Sequence, residues 1–80
     1  MGGEFAPLDR NQVEEVLKSL GFQVKRQRSS HAQWEGYVKG QRRLVTVDFL
    51  KSAKEKYGRT LLNKMIQQSG LTKKEFYDYL

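Results

Sequence analysis

Cysteine is absent from the 80 residues, so neither a disulfide framework nor a thiolate metal site is available. The single histidine, His31, cannot assemble a His-rich centre, and no metal or cofactor is expected. No stretch approaches the roughly 18 apolar residues of a membrane span, and the first residues lack the apolar run of a signal peptide. A cytoplasmic protein that does not engage a membrane is the expectation. Acid is scarce as well: 9 Asp and Glu stand against 15 Lys and Arg, leaving a formal net charge of +6. Such a surplus suits a partner that carries phosphate, although it also serves solubility, so the positions of the charges decide.

Eighty residues bury one modest core and leave no room for a second domain. Residues 1–8, opening Met1-Gly2-Gly3-Glu4-Phe5, read as a flexible leader, and 9–80 as a single domain. Asp9 and Gln12 form a capping pair ahead of Val13, Val16, Leu17 and Leu20, which recur on one helical face until Gly21 stops them. Phe22 and Val24 alternate with polar neighbours in a first strand that runs into Arg26, Arg28 and Ser29-Ser30. His31 to Val38 makes a second strand with Ala32 and Trp34 on one face, Trp34 as a core residue. Lys39-Gly40 is a two-residue hairpin turn, and Leu44 to Phe49 a third strand with Val45, Val47 and Phe49 inward.

Lys51 to Arg59 is weakly patterned and reads as a loop. From Thr60, Leu61, Leu62, Met65 and Ile66 line a second helix that ends at Gly70. Thr72 and Glu75 then cap a short terminal helix offering Phe76, Tyr79 and Leu80 for docking. The predicted fold class is α+β, in the order α-β-β-β-α. A three-stranded antiparallel sheet carries two helices on one face, a short C-terminal helix follows, and the other face stays wet. This order is that of a double-stranded-RNA-binding-like fold.

Register follows from the turns. With Lys39-Gly40 as loop, Val38 pairs with Gln41, Trp34 with Val45, Ala32 with Val47, and His31 with Asp48. With Arg28-Ser29-Ser30 as the first loop, Val24 pairs with Trp34 and Gln27 lies beside His31. The open face then carries Gln23, Lys25, Gln27, His31, Gln33, Tyr37, Thr46 and Asp48. Lys25, Arg26, Arg28, Lys39, Arg42 and Arg43 gather at strand ends as candidate phosphate contacts, with Tyr37 as a stacking platform. The competing view is a solvated face with no ligand.

Histidine suits proton transfer near neutral pH, and RNA brings its own nucleophile in the 2′-hydroxyl, so one histidine suffices for metal-free cleavage. In that scheme His31 is base or acid, Lys25 or Arg28 steadies the phosphorane charge, and Asp48 orients the imidazole. An isolated strand histidine is, on composition alone, more often a surface residue.

Leu20-Gly21-Phe22, Arg26-Gln27-Arg28-Ser29-Ser30-His31, Gly58-Arg59-Thr60-Leu61, Ser69-Gly70-Leu71-Thr72-Lys73-Lys74-Glu75-Phe76 and Leu80 together resemble the HicA (YcfA-like) family from about Val13 onward. The resemblance implies an mRNA interferase toxin held inactive by a HicB antitoxin. In the family a Gly-Ser-His motif opens the second strand and its histidine is catalytic. The matching positions are Ser29, Ser30 and His31, which assigns His31 as catalytic and places Ser29 and Ser30 at the RNA. Two positions depart from the pattern: Ser29 replaces glycine, and Asp48-Phe49-Leu50 stands where a proline and, two residues later, a histidine usually occur. The implied function is a ribosome-independent endoribonuclease acting on mRNA. The alternatives are a non-catalytic RNA-binding domain of the same fold and a protein-interaction module for an acidic partner.

Overall fold

The computed structural model describes residues 6–52 and 54–80. At the start of the first helix, α1 (Arg10–Ser19), a carboxylate oxygen of Asp9 accepts the Gln12 N–H at 2.8 Å, while Gln12 Oε1 accepts the Asp9 N–H at 2.9 Å. This reciprocal cap satisfies donors that a helix start leaves orphaned. The face it launches buries Val13, Val16 and Leu17, and Gly21, at φ +90°, turns the chain out of the helix.

Three strands follow, β1 (Gln23–Gln27), β2 (His31–Val38) and β3 (Gln41–Asp48), antiparallel in the order β1-β2-β3. Lys39 (φ 53°) and Gly40 (φ 81°) form a two-residue turn with positive φ at both positions, which matches the twist of the paired strands. The turn sets the β2–β3 register as expected: Val38 pairs with Gln41, Trp34 with Val45, Ala32 with Val47 and His31 with Asp48. Trp34 lies in the core, 4 % exposed.

The first hairpin departs from expectation. Val24 pairs with Trp34, but a bulge between Val24 and Arg26 shifts the ladder, so Gln27 faces Ala32 and not His31. The Arg28 N–H donates to the His31 carbonyl at 2.8 Å, which shortens the loop to Ser29-Ser30. One extra residue on β1 takes up the difference. Nothing in β1 is buried, and Val24 is 45 % exposed. The apolar anchor of this edge is Phe22, outside the strand, whose ring lies over Gly36 so closely that a Cβ there would meet it at 2.5 Å.

Two further helices, α2 (Arg59–Ser69) and α3 (Lys73–Tyr77), complete the order. Leu62, Met65 and Ile66 of α2 join Val13, Val16 and Leu17 of α1 and Ala32, Trp34, Val45 and Val47 of the sheet in one buried cluster. The two main helices therefore share one sheet face. Gly70, at φ +82°, closes α2, and Thr72 with Glu75 makes the capping box of α3. Phe76 docks in the core, whereas Tyr79 and Leu80, expected beside it, are 44 % and 50 % exposed because α3 ends at Tyr77.

Two segments are more ordered than their composition suggests. Of the expected leader, residues 1–5 lie outside the described residues. Leu8 is buried in the core and accepts the Tyr57 N–H at 2.8 Å, and Ala6 accepts the Tyr77 hydroxyl at 2.7 Å. Packing thus begins before Asp9. Within the β3–α2 loop Tyr57 is fully buried and donates its hydroxyl to the Asp48 carbonyl at 2.6 Å.

Candidate nucleic-acid interface

With α1 and α2 on one face, the other face of the sheet is open, and strand alternation assigns its residues. β2 presents His31, Gln33, Glu35 and Tyr37 there, and β3 presents Arg42, Leu44, Thr46 and Asp48. The bulge in β1 changes what that strand supplies. Past the irregularity Arg26 sits opposite Gln33, so Arg26 and Arg28 reach the open face where uninterrupted alternation assigned Gln27. Arg26, Arg28, His31, Gln33 and Thr46 together line a concavity of about 150 Å³. Neither guanidinium is paired with a carboxylate among the described residues.

His31 begins β2 half-buried, with Ser30 Oγ 3.2 Å from its Nδ1. That contact leaves Nε2 as the ring nitrogen without a partner among the described residues. Asp48 is the cross-strand partner of His31. Ser30 and Phe49 exchange a backbone bond (Phe49 N–H to Ser30 carbonyl, 2.9 Å), so His31 and Asp48 form the adjoining non-hydrogen-bonded pair, the geometry in which opposed side chains lie closest. No hydrogen bond or ion pair joins the two side chains. Ser29 is an exposed turn residue.

The remaining basic candidates disperse. Glu35 lies in the middle of the open face and binds both Arg42 and, at 3.4 Å, Lys25. The Arg42 guanidinium, assisted by Lys25, holds the Glu35 carboxyl below the usual carboxylate range. Lys39 sits at the far turn, bound to Glu75 at 2.9 Å. The Thr72 backbone N–H and then Lys39 hold the Glu75 carboxyl low in its turn. Arg43 shares the parity of Val45 and Val47 and so points to the helix-covered side, across Gly70, where a Cβ would meet its Nε at 2.6 Å. That position over the last turn of α2 places its cation against the negative end of a helix. Tyr37 is on the open face, 69 % exposed, toward the Lys39 end.

Of the basic candidates, then, Arg26 and Arg28 converge on the histidine, Lys25 and Arg42 are tied to Glu35, and Lys39 and Arg43 lie elsewhere. Gln33 and Thr46 line the same concavity although neither stood among the site candidates. Polar strand positions flanking a histidine on one face were the available signal. Tyr57 also escaped notice: burial pushes its phenol up to about 12, and its hydroxyl anchors the strand end that carries Asp48.

The fold and this face define a class: a single-sheet α+β domain whose open, basic face carries one histidine between arginines. More particularly, the family model described as HicA toxin of bacterial toxin-antitoxin matches residues 10–71, and the chain belongs to that family. No curated protein matches the chain. No helix of the described residues is long and apolar enough to cross a membrane.

Proposed function

We propose that this toxin is a ribosome-independent endoribonuclease acting on mRNA, with His31 as its catalytic residue. The convergence of Arg26 and Arg28 on His31 around one small concavity carries the proposal. An RNA phosphodiester seated there meets two guanidinium groups suited to bidentate contact with phosphate oxygens. The 2′-oxygen attacks phosphorus, the P–O5′ bond breaks, and a 2′,3′-cyclic phosphate and a 5′-hydroxyl result. His31 either takes the 2′-hydroxyl proton or gives one to the departing 5′-oxygen, water handles the other proton, and the arginines offset the charge that builds on the phosphorane.

Ser30 positions the imidazole through Nδ1, and Asp48, across the strand pair with no hydrogen bond to the ring, contributes a nearby charge. Gln33 and Thr46 face the same bound nucleotide. Lys25 and Arg42, partly neutralised by Glu35, offer the RNA backbone a weaker contact than the two free arginines, and Tyr37 stacks on a base farther along the face. The reaction as proposed calls on no metal ion, because proton transfer by His31 supplies what an ion would. A HicB-type antitoxin, the partner that membership of a toxin-antitoxin family calls for, silences the enzyme by covering this face.

Incubating a labelled mRNA with purified protein and EDTA tests the proposal. Wild type cleaves, and His31→Ala, folded to the same extent, is slower by about 10² to 10⁴-fold, the span of a general acid–base contribution. Salt-dependent RNA binding with no cleavage by either protein identifies a non-catalytic RNA-binding domain, and an absence of RNA affinity identifies a protein-interaction module.

A further inference from the structure

The connection from β3 to α2 carries Lys51, Lys54 and Lys56, all exposed, and its placement ties it to the histidine end of the sheet. It leaves β3 at Asp48, the cross-strand partner of His31, and at Phe49, whose N–H donates to the Ser30 carbonyl. It returns at Tyr57, whose buried hydroxyl donates to the Asp48 carbonyl at 2.6 Å. Both ends are therefore pinned at the residue opposite His31, and Lys51 stands three residues from it, within about 11 Å of chain. The one acid in the loop is occupied locally: Glu55 Oε1 accepts the Ser52 N–H at 3.0 Å. None of the three lysines is in an ion pair among the described residues, whereas the cations of the opposite end, Lys39 and Lys74, are held by Glu75 and Asp78.

Resting on the ribonuclease proposal above, we infer that the β3–α2 loop is a second phosphate-contact surface. Lys51, Lys54 and Lys56 hold the backbone of the single-stranded RNA where it leaves the His31 concavity. The concavity, about 150 Å³ with two arginines, admits little more than one phosphate and its neighbouring groups, so a longer strand must continue over an adjoining surface. Toward the middle of the sheet Glu35 takes up part of the charge of Lys25 and Arg42, whereas the loop that leaves the sheet at Asp48, opposite His31, carries lysines outside any ion pair among the described residues. Ammonium groups on flexible stems, unfixed by carboxylates, suit sequence-independent contact with phosphate. The loop therefore contributes affinity and salt dependence, and leaves the chemical step alone.

The test measures binding of a labelled, mixed-sequence single-stranded RNA across a salt series, in a His31→Ala background so that the strand stays intact. The triple variant Lys51→Gln, Lys54→Gln, Lys56→Gln is compared with a charge-matched control, Lys18→Gln, Lys64→Gln, Lys74→Gln. Each phosphate contact on a single strand contributes about 0.7 to the slope of log K against log salt. The loop variant is expected to lose about 2 from that slope while the control keeps it, and with His31 restored the loop variant raises KM at least tenfold with kcat within twofold of wild type. An unchanged slope in the loop variant, or an equal loss in the control, overturns the inference and leaves the ribonuclease proposal standing. Failure of the parent protein to bind RNA at all overturns both.

Discussion

Ser30 Oγ lies 3.2 Å from Nδ1 of His31, and that hydroxyl is the group best placed to choose the imidazole tautomer. A hydroxyl donating to Nδ1 leaves the proton on Nε2 for the acid role, and one accepting from Nδ1–H leaves Nε2 bare for the base role. Ser30→Ala is therefore expected to lower kcat by about tenfold with KM nearly unchanged, and ¹⁵N chemical shifts of His31 are expected to move toward a tautomer mixture. A rise in KM with unchanged shifts assigns Ser30 to RNA contact instead. Ser30→Thr, which keeps the hydroxyl, restores most of the rate. Tyr57 is a residue of stability: its phenol is pushed up to about 12 by burial, against 10.0 for an ordinary tyrosine. The folded state binds this proton more tightly than the unfolded chain. Its contribution is thus complete below pH 10 and lost as pH rises through about 12. Unfolding measured between pH 9 and 12 should show wild type losing stability over that window, and Tyr57→Phe losing less of it from a lower start, by about 1 kcal/mol for the missing bond to Asp48.

At the scale of elements, Phe22 and Gly36 join the edge strand to the rest of the sheet. Because a Cβ at Gly36 would stand 2.5 Å from the Phe22 ring, Gly36→Ala must displace either the ring or β2. Overpacking of this kind costs about 1 to 3 kcal/mol, and thermal unfolding is expected to fall by about 5 °C or more. The contrast between the hairpins shows what was legible beforehand. The β2–β3 register was readable because a two-residue turn ending in glycine sets the pairing, and Ala32 and Trp34 then met Val47 and Val45. The β1–β2 register was not, since β1 has only Val24 as an apolar residue and nothing buried to expose a one-residue slip. The bulge is invisible in Lys25-Arg26-Gln27-Arg28, yet it decides which cations meet His31. The β3–α2 loop hid Tyr57 for a related reason: one aromatic among lysines carries no period, and its burial depends on Leu8 and Asp48, distant in sequence.

Across the whole molecule, charge is distributed by pairing more than by count. The formal +6 says that phosphate is a plausible partner, but ion pairs with Glu35, Glu75 and Asp78 quench the middle of the sheet and the far turn. Arg10 is likewise engaged, bound to Glu14 at 2.9 Å and lying 3.9 Å over the Phe49 ring. Among the described residues Arg26 and Arg28 keep their charge unpaired beside the histidine, and Lys51, Lys54 and Lys56 of the β3–α2 loop are in no ion pair. His31 stood out as the one histidine in a basic strand region, but composition alone favoured a surface residue, and the family resemblance carried its assignment. Its surroundings were not legible, because they depend on the bulge and on which side of the sheet Arg43 takes. The most direct test of the central claim is end-group analysis of RNA cleaved in EDTA. The account predicts 2′,3′-cyclic phosphate and 5′-hydroxyl ends from wild type and a loss of both with His31→Ala; equal cleavage by the two proteins, or 5′-phosphate ends, would contradict it.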